Sequence, residues 1–212
     1  MKLQVKNLGP IKYGEIDLTK RFYVFVGYNN SGKTYAAQLL WKFFNDSKNL
    51  FTRNFQVDEL PQISIGTTIS INQEILRLVI GKYEDHLIQT FESSLYSRQN
   101  SFENFRLNLT LPDFSFFEKN KFELWIGFQD QGVIFTKKSD STEVSIVEMP
   151  IQDWENFYKG KIKFPDEADI VLHTSLFSKS LSTGHLAHFL LKFIMSTDIC
   201  RDDIFLPANR SI

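Results

Sequence analysis

The sequence predicts an α/β fold: an antiparallel amino-terminal arm, then a central sheet with helices that these residues leave incomplete. Three observations predict it. Phe22-Tyr23-Val24-Phe25-Val26 is a short β-branched and aromatic run, the pattern of a buried strand. Gly27-Tyr28-Asn29-Asn30-Ser31-Gly32-Lys33-Thr34 follows directly and spells G-x-x-x-x-G-K-[ST]. Tyr35 to Phe44 then contains strong helix formers and neither Gly nor Pro.

Strand, glycine loop and helix in that order form a cradle for polyphosphate. Glycines at both ends let the backbone curl, so that successive amide N–H groups converge on one anion. The positive end of the following helix adds to the attraction. Lys33 is placed to reach β- and γ-phosphates as a point charge, and the Thr34 hydroxyl to bind Mg²⁺. The whole octapeptide, Gly27 to Thr34, is therefore the expected nucleotide site. The rival is a ligand-free Gly- and Asn-rich turn. Chance alone produces the four fixed positions in roughly one chain per hundred of this length, and the flanking strand and helix make chance rarer still. The guanine-reading Asn-Lys-x-Asp pattern is absent from the sequence, which favours adenine and hence ATP.

Composition narrows the setting. The 212 residues suffice for one large domain or a domain plus a small insertion, and at 42% hydrophobic and 23% charged they have an ordinary globular balance. The 21 phenylalanines favour a real core over disorder. A net charge of −1 gives no global basic field to recruit nucleic acid. The single cysteine, Cys200, forms no internal disulfide, and the cytoplasm is the expected compartment. Met1 to Lys6 alternates and is not a signal peptide, and no apolar run is long enough to span a bilayer, so no membrane partner is expected.

Taken in order, Leu3, Val5 and Leu8 alternate with polar neighbours as a half-buried strand, which Gly9-Pro10 punctuates. Ile11 to Leu18 is a second strand, so the glycine loop follows a third. Residues 45–66 read as loop. Between Asn72 and Tyr96, apolar residues from Ile75 to Leu95 recur at three- and four-residue steps, an amphipathic helix too short for a sustained coiled coil. Residues 105–148 alternate as an antiparallel meander with turns at Asp130-Gln131-Gly132 and Asp140-Ser141, which is expected to extend the amino-terminal sheet. Its aromatics alternate as core residues do, against a base-stacking surface. Ile151 to Pro165 reads as a short helix and turn, Asp169 to His173 as a brief strand, Leu186 to Ser196 as a buried helix and Ile204 to Leu206 as a final strand stopped by Pro207.

Two segments carry a family resemblance. Lys6-Asn7-Leu8-Gly9-Pro10-Ile11-Lys12, Gly14-Glu15-Ile16-Asp17-Leu18 and Phe25 to Thr34 together resemble the opening of RecF/SMC-like ATPases of the ABC superfamily. That group includes AAA family ATPases and overcoming-lysogenization-defect-type nucleases of bacterial repair and defence. Phe205-Leu206-Pro207-Ala208-Asn209-Arg210-Ser211 resembles the Leu-Pro-Ala-x-Arg-Ser segment many of them carry midway through the domain. The resemblance implies a P-loop NTPase fold like an ABC or SMC head, with ATP and Mg²⁺ as ligands. It implies pairing of two heads as a homodimer, and DNA as a partner only of the full assembly. It also places Arg210 near the nucleotide edge or the head interface.

Other expected parts do not fall into place. Leu181-Ser182-Thr183-Gly184-His185 looks like the ABC signature, but the strand ending in Asp-Glu that should follow is missing: Asp202 and Asp203 precede their strand. The match is therefore read as coincidental, and no catalytic carboxylate is named. Gln129, Gln131 and His173 are weak candidates for contacts to water or γ-phosphate, with turn and structural roles as their rivals. The expectation is one ATPase domain over residues 1–212, incomplete at its carboxy end, whose other half lies downstream or in another chain. Its segments are the arm and loop (1–45), a helical part (46–104), the meander (105–148) and a last part (149–212). A small phosphotransferase and a non-hydrolysing nucleotide-gated binding module stay open as alternatives.

Overall fold

In a computed structural model, the described residues are 1–20, 22–49, 55, 57–94, 104–111, 113–127, 132–150, 152–153, 171–175 and 181–198. Their elements run β1 (Lys2–Leu8), β2 (Ile11–Asp17), α1 (Lys33–Asn49), β3 (Thr68–Ser70), α2 (Gln73–Ser94), β4 (Arg106–Thr110), α3 (Phe114–Lys119), β5 (Phe122–Gly127), β6 (Gly132–Lys137), β7 (Glu143–Glu148), β8 (Val171–Ser175) and α4 (Thr183–Asp198). The chain divides into two units, one of Met1–Lys48, Glu84–Thr110 and Ser196–Ile212, the other of Asn49–Tyr83 and Leu111–Met195.

In the first unit, alternation decides which face of the arm is buried. Leu3, Val5 and Leu8 of β1 are buried, and so are Leu107 and Leu109 of β4. β1 is the middle strand of an antiparallel sheet of order β2-β1-β4, with Lys2 opposite both Asp17 and Thr110. Gly9 and Pro10 join β1 to β2 in a two-residue turn. Gly9 has φ +56° and proline fixes a negative φ after it, the pattern of a II′ hairpin. β4 is an edge strand, and the Glu84 carboxylate accepts a hydrogen bond from its Leu109 N–H. Burial raises the Glu84 pKa above the usual carboxylate range, against that hydrogen bond. α1 buries Leu39, Leu40 and Phe43 completely, at the helical spacing expected of a one-sided core helix.

The second unit is built on a sheet of order β3-β7-β6-β5-β8. All its neighbours are antiparallel except β5 and β8, which run parallel. Phe122, Phe135, Phe189 and Phe193 are buried, and their rings meet edge-on or stacked: Phe122 lies 5.0 Å from both Phe189 and Phe193, and Phe135 lies 5.5 Å from Phe189. Such rings bury large apolar areas and gain from edge-to-face geometry. α4 is buried around most of its circumference, as its composition predicts. Lys137 is fully buried, and its ammonium donates to Asn120 O at 2.6 Å and to Glu118 O. It thereby satisfies carbonyls at the C-terminal end of α3, and it lies 5.2 Å from the centre of the Phe117 ring. Burial pulls its pKa down to about 8.

Two expectations need correction, and two elements were not foreseen. Residues 22–26 do not form a buried strand: they join neither sheet, and Phe22, Val24 and Val26 are 80%, 66% and 84% exposed. A β-branched run specifies extended backbone, but becomes a ladder only when a neighbour supplies hydrogen bonds. The glycine loop therefore rises from no central sheet among the described residues. The 105–148 stretch is also divided: β4 joins the arm, α3 intervenes, and β5-β6-β7 alone make the meander. β3 and α3 stand where no element was expected. The predicted helix over 72–96 agrees with α2 to within two residues. The Ile151–Pro165 helix, apart from residues 152–153, and the Ile204–Leu206 strand lie outside the described residues.

Candidate functional site

The site begins at the hairpin turn of the arm. A Cβ built on Gly9 would lie 2.9 Å from Cε2 of Tyr35, and one built on Gly32 would lie 2.5 Å from Cγ1 of Ile11 and 3.7 Å from Cγ of Pro10. The turn Gly9-Pro10-Ile11 therefore packs against both the last glycine of the loop and the first turn of α1. Reading the motif alone missed this contact. Its signal in the sequence was Gly9-Pro10 itself, a tight turn ahead of the loop.

The loop is curled by three residues with positive φ: Gly27 at +151°, Asn30 at +63° and Gly32 at +94°. Asparagine is among the few residues with a side chain that adopt the left-handed region readily. The Ser31 N–H donates to Tyr28 O at 3.3 Å, closing a turn with positive φ at its third residue, a type II pattern. A Cβ on Gly27 would lie 2.9 Å from the Ser31 hydroxyl, so the curl leaves no room for a side chain there. Helical bonding starts at once: the Ala36 N–H donates to Gly32 O at 3.0 Å.

Lys33 reaches back into this curl. Its ammonium donates to Gly27 O at 2.7 Å and Tyr28 O at 2.6 Å, and more weakly to Ser31 Oγ at 3.4 Å. Its three donors thus have three acceptors, all in the loop. Tyr28, Asn29, Asn30, Ser31 and Thr34 are exposed, Gly32 is buried and Lys33 is half-buried. The first turn of α1 holds no acidic residue to oppose an anion. The residues present fit a magnesium-bound triphosphate. The loop is a cradle that side chains at Gly27 and Gly32 would fill, the ammonium is already held inside it, and the Thr34 hydroxyl is open at the start of the helix. When bound, Mg²⁺ would neutralise phosphate charge, with Thr34 as its one protein ligand named here.

The other described candidates belong to the second unit. Ser182 and His185 cap α4: the Ser182 N–H donates to Nδ1 of His185 at 2.9 Å, and the Ser182 hydroxyl lies 2.9 Å from the same nitrogen. The signature-like Leu181–His185 thus makes one half of a capping box, with histidine in the place of glutamate, while the His185 N–H donates to Ser182 O at 2.9 Å. Burial lowers the His185 pKa, which keeps that nitrogen an acceptor. His173 lies in β8, in register with Trp125. Gln129, Gln131, Asp202, Asp203 and Arg210 lie outside the described residues. Among the described residues no group of three or more His, Cys, Asp or Glu side chains is placed to hold a metal ion, and no helix is long and apolar enough to cross a membrane.

No curated protein and no solved structure matches the chain. One protein-family model does, the AAA ATPase domain, over residues 1–185. That match takes in the arm, the loop and both sheets, and this chain belongs to the AAA ATPase domain family.

Proposed function

We propose that the chain binds Mg-ATP at Gly27 to Thr34 as the nucleotide-binding part of a RecF/SMC-like ATPase. In such an ATPase, ATP closes two heads and hydrolysis releases them, in the service of DNA repair or phage defence. The observation that carries the binding step is the Lys33 ammonium held inside a loop curled by Gly27, Asn30 and Gly32. On arrival of a triphosphate, Lys33 exchanges carbonyl contacts for phosphate oxygens, while the loop N–H groups and the start of α1 take up the remaining charge. The arm supports the finer reading: an antiparallel hairpin preceding the loop is the arrangement the resemblance implies. Arg210 is assigned to the nucleotide edge or head interface on the resemblance of Phe205 to Ser211 alone.

Calorimetric titration with Mg-ATP tests the proposal. Lys33→Ala should weaken binding by about 10- to 100-fold, the loss expected for charge-assisted hydrogen bonds of about 1.5–3 kcal/mol. Equal affinity in the two proteins would sink it. Phosphate release in the same samples, with Arg210→Ala alongside, separates binding from turnover. A shift to dimer on adding ATP, read by light scattering, tests the pairing of heads.

A further inference from the structure

We propose that Ile11 is a positioning residue for the nucleotide: its side chain is the strut that fixes the phosphate loop in its binding shape. The inference rests on the nucleotide-binding reading of the loop and adds to it a residue outside the motif.

Two braces act on the loop. One is internal: Lys33 to Gly27 O and Tyr28 O, with the long Ser31–Tyr28 bond of 3.3 Å. Binding must loosen this brace, because the ammonium that makes it has to turn toward phosphate. The other is external and does not involve the ligand. It is the Gly9-Pro10-Ile11 turn, whose Ile11 Cγ1 and Cδ1 would lie 2.5 and 2.9 Å from a Cβ on Gly32. Gly32 is accordingly buried while its loop neighbours Asn30 and Ser31 are exposed.

The strut is itself rigid. Proline fixes one of its torsions, Gly9 holds φ +56° against the Tyr35 ring, and Leu8 and Ile11 close the hairpin in register. β1, from which the turn springs, is paired on both sides. A cradle that works through fixed N–H directions loses much of its grip when displaced by a fraction of an ångström. Ile11 is half-buried, so shortening it removes little of the core that holds the fold together.

The experiment compares Ile11→Ala, Ile11→Val and Ile16→Ala with the unmodified chain and with Lys33→Ala. Mg-ATP affinity is read by calorimetry and Tm by circular dichroism. Ile16 lies in the same strand, opposite Leu3 and away from the turn, and controls for general loosening of β2. Ile11→Ala should weaken binding about tenfold. Ile11→Val, which keeps Cγ1 and loses only Cδ1, should weaken it about two- to threefold, and Ile16→Ala should leave it unchanged at comparable Tm. Unchanged affinity in Ile11→Ala overturns the strut and leaves the nucleotide reading intact. Equal weakening by Ile16→Ala overturns it too, by showing a general loosening. If Ile11→Ala does not fold, Ile11→Val decides, and wild-type affinity there overturns the proposal. Failure of the unmodified chain to bind, or full binding by Lys33→Ala, overturns both readings together.

Discussion

At the scale of single residues, Gly32 answers to two independent constraints, a φ of +94° and the Ile11 side chain where a Cβ would stand. Either excludes other residues, so the second glycine of the motif serves the arm as much as the ligand. Lys137 presents the opposite case, a charge where the sequence pattern asks for an apolar residue. Burial pulls its ammonium from 10.5 down to about 8, against the pull of Asp140 and Glu118. Below about pH 8 the penalty for the buried charge is present in full. Between there and about pH 10.5 the unfolded chain holds the proton more tightly than the folded one, so stability rises with pH across that window. One pKa unit corresponds to about 1.4 kcal/mol, and the two carbonyl hydrogen bonds favour the charged form and offset part of the burial, so the gain should be about 1–2 kcal/mol. Denaturant unfolding of wild type and Lys137→Met from pH 7.5 to 10.5 checks this. The two curves should converge or diverge in favour of wild type as pH rises, and parallel curves would mean that Lys137 titrates as an ordinary surface lysine.

At the scale of elements, helix starts are fixed by side chains that replace missing carbonyls. Asn72 accepts from the Ile75 N–H at 2.9 Å at the head of α2, and Asp113 accepts from Ser115 at the head of α3. Asn72→Ala should lower stability by about 1 kcal/mol, read as a shifted denaturation midpoint with an unchanged slope; no shift would mean that water replaces the cap. Elements were legible in the sequence where a period repeats often enough to be seen. α1, α2 and α4 each run for at least four turns, and the eight-residue loop announces itself by residue type. β3 has three residues and α3 six, too few to establish a period, and α3 is recognisable only afterwards from Asp113 as its cap. The exposure of Phe22–Val26 was not legible, because a β-branched and aromatic run reports what a strand demands and not whether its neighbour is present. The Ile11 contact was hidden for a different reason: it joins residues 21 positions apart.

At the scale of the whole molecule, protection from solvent is unevenly spread. β5 and β6 lie inside a five-stranded sheet, with ladder bonds on both sides. Phe22, Val24, Phe25 and Val26, immediately before the candidate site, make no backbone hydrogen bond to a described residue. Their amides should exchange with deuterium close to the free-peptide rate, while those of β5 and β6 exchange at least a hundredfold more slowly (about 3 kcal/mol of opening free energy). Protection of 22–26 equal to that of the sheet would contradict the structure. The same segment has a bearing on how the protein must be handled. Phe22, Val24, Val26 and Tyr28 expose four large apolar side chains, and the first three lie on backbone that joins no sheet among the described residues, with no lysine or proline among them. That is the surface from which sheets grow between molecules. In concentrated solution, the stretch leading into the phosphate loop is where aggregates of this chain should nucleate.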